Sequence, residues 1–346
     1  MYSHLFTTSI AKTTPLMLIK SARFLSGAFF VMLLSACAST PQTTKLINEQ
    51  PADIPAQVEL SEVAFFPQKK YQCGPAALAT ILDHQKIKAQ PEDLVNRVYI
   101  PERKGSLQIE MIATARSYGL MTYKLAPELK ELLTELANGH PVLVFQNLSL
   151  PWIPRWHYAV AVGYDLNQQQ LILRSGVEER HIVSFATFEQ TWQRAEYWAY
   201  VVIKPGQIPV TANALSYTQA ANALMKTGFK QEALTAYRQA AQHWPQQVLP
   251  QMALGNAEYA VEDYPAAEKA FSRAIAVEPD NAQAWNNLAY TLSARQCRVA
   301  AIKAIGCAVR LAPDDDNIAA SLKEIVGQRE IPPGQCDVPQ CPLYYQ

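Results

Sequence analysis

A cysteine nucleophile needs a thiolate, a base within hydrogen-bond reach and donors for the oxyanion it creates. The stretch 68–78, Gln-Lys-Lys-Tyr-Gln-Cys-Gly-Pro-Ala-Ala-Leu, offers a setting for the first of these at Cys73. Pro75 presets a helical φ, and a first helical turn loses nothing by its missing N–H. Leu78, Ile81 and Leu82 recur behind it at helical spacing. Cys73 is therefore expected at or beside an N-cap, where orphan N–H groups and the positive end of the helix dipole favour thiolate over thiol. Six histidines compete for the role of base. His4 lies in an N-terminal targeting segment and His243 among helical repeats. His84 stands on the same helix about 16 Å from Cys73 at 1.5 Å per residue. His140 precedes a proline at a strand start, and His181 falls in a charged loop. His157, at the head of a strand, is the best placed.

Bringing the two together takes a strand and a helix that pack closely. In the strand 157–164, His157, Ala159, Ala161 and Gly163 share one face by the period of two. That face is nearly bare of bulk, and the helix after Cys73 also starts small, with Gly74, Ala76, Ala77 and Ala79. Around this pair, residues 91–95 open a helix, Ser106 is an N-cap for another, and 132–136 is a third helical piece. Strands are expected at 141–145, 157–164, 171–174 and 197–203, with a polar loop over 165–170. Helices first and an antiparallel sheet second make an α+β domain over residues 58–205. Trp152 and Trp156 flank the loop before His157, either as walls of a substrate cleft or as packing residues.

A Gln followed closely by Cys-Gly-Pro-Ala-Ala at a helix start, and His-Tyr-Ala-Val-Ala-Val-Gly-Tyr-Asp 84 residues on, resembles the papain-like cysteine peptidases that remove double-glycine leaders from bacteriocin precursors. The resemblance covers about 65–205. It implies Cys73 as nucleophile, His157 as general base, and Gln68 as the oxyanion-hole donor beside the Cys73 N–H. Two positions depart from the family pattern. Gln68 stands one residue nearer the cysteine than usual, with Gln72 a rival, and the family's acidic third residue is matched by Ser175, with Glu178 and Glu179 nearby. A serine can hold an imidazole tautomer, but it cannot stabilise an imidazolium as a carboxylate does.

The rest of the chain delivers this domain. Residues 1–36 carry Lys12, Lys20 and Arg23 ahead of an apolar run too short to span a bilayer, with Met17 an alternative start. Leu34-Ser35-Ala36-Cys37 resembles a bacterial lipobox, which implies cleavage before Cys37 and its acylation; an ordinary secretory signal is the alternative. Ala38 and Ser39 after the cysteine resemble outer-membrane sorting, facing the periplasm. Polar residues over 37–57 read as a flexible tether, and 206–213 as a linker. Beyond it Pro245, Pro279 and Pro313 recur every 34 residues, as do Ala233, Ala267 and Ala301. This resembles three tetratricopeptide repeats over 214–247, 248–281 and 282–315, with a capping helix to 327, an all-α domain that serves as scaffold or as a groove for a protein partner.

Four cysteines remain, and in an oxidising compartment they suggest two bridges. With Cys297 at the turn and Cys307 within the second helix of the third repeat, the two lie about 15 Å apart and cannot join each other. Cys336 and Cys341, in the Cys- and Pro-rich stretch 328–346, span about as much when extended, so the tail is expected to be pinned along the last repeat. Without the leader, 27 basic residues face 30 acidic ones, net −3. With no basic patch, nucleic acid is not an expected partner, and no motif calls for a cofactor or metal. The sequence thus points to a periplasm-facing lipoprotein that hydrolyses peptide bonds through a Cys73 thioester, its repeats recruiting substrate or partner. The alternative is a peptidase fold with little or no turnover that binds peptides and acts as a scaffold.

Overall fold

The computed structural model describes residues 39–327 and 336–342. The readings of the targeting segment and of Cys37 lie outside these residues.

The first described element is a helix, α1 (Pro41–Glu49), where the polar composition suggested a flexible tether. Composition undervalued what its first turn meets. The N–H groups of Gln42 and Thr43 donate to the Glu189 carboxylate at 2.9 and 2.6 Å, satisfying helix-start donors with a negative charge at the positive dipole end. The Gln42 side chain donates to Pro127 O and accepts from Leu129 N–H, and Thr43 and Leu46 are buried.

Next come β1 (Gln57–Glu59), α2 (Cys73–His84), α3 (Pro91–Val98), the short ribbon of β2 (Tyr99–Ile100) and β3 (Gly105–Ser106), and α4 (Gln108–Arg116). Ser106, expected as an N-cap, belongs to β3, and Leu107 precedes the helix. The sheet is completed by β4 (Met121–Lys124), β5 (Val142–Asn147), β6 (Trp156–Asp165), β7 (Gln170–Ser175), β8 (Glu178–Ser184) and β9 (Ala199–Ile203). The helices α5 (Leu129–Ala137) and α6 (Phe185–Gln193) are interleaved with them. The sheet order is β4-β9-β5-β6-β7-β8, with β1 pairing the far end of β6, and the pairings are antiparallel. Unbroken burial along β5 and most of β6 means helices cover both faces there. β8 is a charged, largely exposed edge strand. That composition hid it from sequence, and it is how edges are protected against further pairing.

Helix α2 packs on β6 because both surfaces are small. A Cβ built on Gly74 would stand 2.3 Å from Ser106 Oγ, and one on Gly163 would stand 2.4 Å from the Val58 carbonyl. Glycine is therefore required where α2 meets β3 and where β1 crosses β6.

Beyond β9, helix pairs α7 (Ala214–Lys226) with α8 (Lys230–His243), α9 (Val248–Ala260) with α10 (Tyr264–Val277), and α11 (Ala282–Ala294) with α12 (Arg298–Leu311) stack in order, and α13 (Asp316–Gly327) closes the last. Gly255 lets Phe271 approach to within van der Waals reach of its backbone, and Trp285, Leu288 and Ala289 are buried. The first pair shares the core of the sheet domain: Tyr217, Ala221 and Leu224 join Met121 and Tyr123 in one apolar cluster. Cys297 is bridged to Cys336 and Cys307 to Cys341, each with Cα atoms 5.8 Å apart, so residues 336–342 lie on the last repeat.

Candidate active site

Cys73 is the first residue of α2 and a free, half-buried cysteine. Its sulfur meets strand β6. The Phe145 N–H donates to Trp198 O, so the opposed pair Phe145 and Tyr158 exchanges no hydrogen bonds across β5 and β6. The Tyr158 N–H therefore faces the β7 side, where pairing starts only at Val160 opposite Arg174. That unpaired N–H is directed at the Cys73 sulfur, together with the N–H groups of Gly74 and Cys73 itself. The sulfur thus lies against the backbone one residue from His157.

Burial nevertheless raises the Cys73 thiol above its ordinary range, and the three N–H groups offset only part of that shift. This corrects the expectation that a helix start alone gives a thiolate, since removing the sulfur from water outweighs the helix-start donors. His157 is driven the other way, down to about 4, first by burial and then by the charges of His181 and Arg155. At neutral pH the resting pair is a thiol and a neutral imidazole.

His157 Nε2 lies 2.8 Å from Ser175 Oγ. Ser175 ends β7, and an irregularity in the β7–β8 register sets it opposite Glu178 instead of Glu179, the kind of bulge that re-aims a side chain beside a site. A serine can accept from Nε2–H, leaving the Nδ1 lone pair free, or donate to Nε2, leaving Nδ1 protonated. A carboxylate enforces the first arrangement. Both nearby acidic residues make other contacts. Glu178 pairs with His181 Nδ1 at 2.9 Å, and Glu179 lends its backbone carbonyl to Arg174 at 2.7 Å.

Gln68 is held by its backbone N–H donating to Gly176 O at 3.0 Å, which ties its loop to the β7–β8 turn. Its side-chain Oε1 is buried without a hydrogen-bond partner. Phe65, Phe66, Gln68, Cys73, Tyr158 and Ser175 line a cavity of about 10 Å³, room for about one water. Gln72 stands at the N-cap position of α2 without a capping bond from its side chain, and it does not line that cavity.

Two features escaped the sequence reading. Arg174 is buried and donates to the carbonyls of Val63, Ser61 and Glu179, lashing the loop ahead of Gln68 to the sheet. A charged residue within an apolar strand was the one available signal for it. Tyr71, two residues before Cys73, holds φ at 66°, a strained state for a non-glycine residue of the kind that clusters at functional sites. Of the two tryptophans ahead of His157, Trp156 stacks on Phe145 at 5.2 Å, while Trp152 stands out in solvent. Among the described residues no group of three or more His, Cys, Asp or Glu side chains is arranged to hold a metal ion.

Residues 60–200 match the model of the Peptidase_C39 like family. They form a C39-like peptidase domain. Residues 252–315 match a tetratricopeptide repeat family, so the C39-like domain is fused to an all-helical repeat region. Among solved structures, a protein from Bacillus anthracis described as a C39-like peptidase is 19% identical, with a TM-score of 0.37, and the match covers 43% of this chain and 98% of that one. The first repeat domain of Spaghetti (RPAP3), bound to the HSP90 peptide SRMEEVD, is 20% identical over 33% of this chain and 90% of that one, with a TM-score of 0.31. The second repeat domain of human RPAP3, in complex with an HSP70 peptide, is 18% identical over 33% and 94%, with a TM-score of 0.31. No curated protein matches the chain.

Proposed function

We propose that the C39-like domain is a cysteine peptidase on a lipoprotein facing the periplasm, and that the repeats recruit its protein or peptide substrate. The observation that carries the activity is the lodging of the Cys73 sulfur against the backbone N–H of Tyr158, the residue that follows His157, whose Nε2 meets Ser175 Oγ. With Nε2 engaged, Nδ1 is left to take the thiol proton as the sulfur attacks a peptide carbonyl carbon. The Cys73 N–H and the Gln68 side-chain amide would supply the hydrogen bonds to the developing oxyanion. The imidazolium then protonates the leaving amine, and water hydrolyses the thioester, returning acid and thiol. Two bridges in the last repeat support an oxidising compartment, and the lipobox-like sequence at Cys37 supports acylation at the outer membrane.

The test is labelling near neutral pH by a peptide that carries a thiol-reactive group. Labelling faster than that of a free cysteine, lost in Cys73→Ala and in His157→Ala, is the expected outcome. If Cys73 labels no faster than a free cysteine, the peptidase reading fails. One observation favours a second reading, capture of peptides without turnover: the base is neutral, poorly basic and partnered by a hydroxyl. Peptide binding that survives Cys73→Ala, with no cleavage by the unaltered chain, would establish that reading instead.

A further inference from the structure

The β5–β6 loop, residues 148–155, presents apolar side chains at the end of the sheet where Cys73 and His157 lie. Trp152 is 73% exposed and Ile153 65%, and Leu150 stands beside them. The loop is not slack. Asn147 Oδ1 accepts from the N–H groups of Ser149 and Arg155, Leu148 N–H donates to Arg155 O, and Pro151 and Pro154 stiffen the tip. From behind, Arg194 donates to the carbonyls of Asn147 and Ser149. Rigidly displayed tryptophan with aliphatic neighbours is costly in water, and it is the composition found at the headgroup level of a bilayer. None of residues 148–155 lines the cavity at Cys73.

The first described helix docks on α6, the helix that leads into Arg194. Gln42, in the first turn of α1, is held on Glu189 and meets the Tyr197 side chain. Arg194, which braces the loop, lies only about 7.5 Å along the helix axis from Glu189 at 1.5 Å per residue. Cys37 precedes Gln42 by five residues, so its Cα can stand no more than about 17 Å from that docking point. An acyl group on Cys37 would therefore hold the body of the domain against the membrane instead of letting it range on a long leash.

We infer that the 148–155 loop is a second membrane contact, inserting Trp152 and Ile153 at the lipid headgroup level and setting the Cys73 end of the sheet at the bilayer surface. The inference rests on the proposed acylation of Cys37. The experiment takes the full chain as processed in the cell envelope and reconstitutes it in vesicles of phosphatidylethanolamine and phosphatidylglycerol whose acyl chains carry bromine. The difference in emission between this chain and Trp152→Phe isolates one of the six tryptophans. The mass of the N-terminal fragment is measured on the same sample. The expected result is an acylated N-terminus and a Trp152 emission that is shifted to the blue and quenched about twofold by the brominated lipid. An acylated chain whose Trp152 is quenched by aqueous acrylamide and not by brominated lipid overturns the inference and leaves the anchor standing. An N-terminus without acyl mass overturns the anchor and this inference together. Trp152 that becomes shielded only when a peptide is added overturns it in favour of a substrate contact.

Discussion

At the residue scale, Ser175 decides the basicity of His157, the residue proposed as the general base. A hydroxyl cannot offset the cost of placing an imidazolium in a buried site, and the ring titrates at about 4. Ser175→Asp adds a negative charge within reach of Nε2 and imposes the tautomer with Nδ1 free. The signs are definite. His157 serves as base only when unprotonated, so labelling falls as pH drops through its pKa. In the unaltered chain that fall comes near pH 4; in the Ser175→Asp variant it moves toward neutrality. At pH about 7.5 the variant's labelling rate rises by about tenfold. A pH profile of probe labelling, with the imidazole titrated by NMR, measures both. Ser175→Ala is expected to slow labelling several-fold while keeping the acid limb low. Cys73 was legible from its helix-start sequence, His157 from its place at the head of a strand, and Ser175 only through the family resemblance, which sets it where the acidic third residue stands. The raised thiol and the depressed imidazole were not, since they depend on how much water the fold excludes and sequence carries no measure of that.

At the scale of elements, close approach is what joins the two halves of the site. Gly74→Ala places a methyl 2.3 Å from Ser106 Oγ and 2.7 Å from its Cβ, so α2 must slide away from β3 and take Cys73 with it. The expected cost is about 1–3 kcal/mol of stability, read as a lower melting temperature together with slower labelling. Ser106→Gly removes both clashing atoms and is expected to restore much of each. The second lever at this scale is the clamp on α1. Glu189 is fully buried and its two oxygens accept the Gln42 and Thr43 N–H groups. Glu189→Ala strands those donors at a cost of about 1–3 kcal/mol. Limited proteolysis is then expected to cut within residues 40–56 faster than in the unaltered chain, while the peptidase domain stays intact. The alternating and small-residue patterns made β6 and α2 visible in sequence. α1 was hidden because its partners, Glu189 and Leu129, are distant in the chain. β4 was missed because three of its four residues are buried and show no alternation.

For the whole molecule, the question is whether peptidase domain and repeats form one cooperative body. The 34-residue period announced the repeats and said nothing of how they attach. The linker is pinned by Glu135, a fully buried carboxylate on α5. Its Oε1 accepts from both the N–H and the hydroxyl of Thr211 at 2.7 Å, and its Oε2 faces His140 Nδ1 at 2.6 Å. Beside it the Tyr123 hydroxyl donates to Thr211 O, and the Tyr217 hydroxyl donates to Gln207 O. Tyr217, Ala221 and Leu224 then extend the core of the sheet into the first repeat. A polar latch set inside a continuous apolar contact couples the two parts strongly, because opening it strands several buried donors at once. Calorimetry of the unaltered chain is expected to show the peptidase domain and first repeat melting together. In Glu135→Ala the donors of Thr211 and His140 lose their acceptor, at a cost of about 1–3 kcal/mol. The shared transition should fall and split, with new proteolytic cuts over 204–213. If Glu135→Ala melts as one transition at an unchanged temperature, the latch is not what joins them. Splitting with unchanged Cys73 labelling would mean that the repeats do not hold the site in shape. Splitting with slowed labelling would mean that β4, which pairs with β9 and packs on α7, passes the loss of the repeats to the sheet that carries His157.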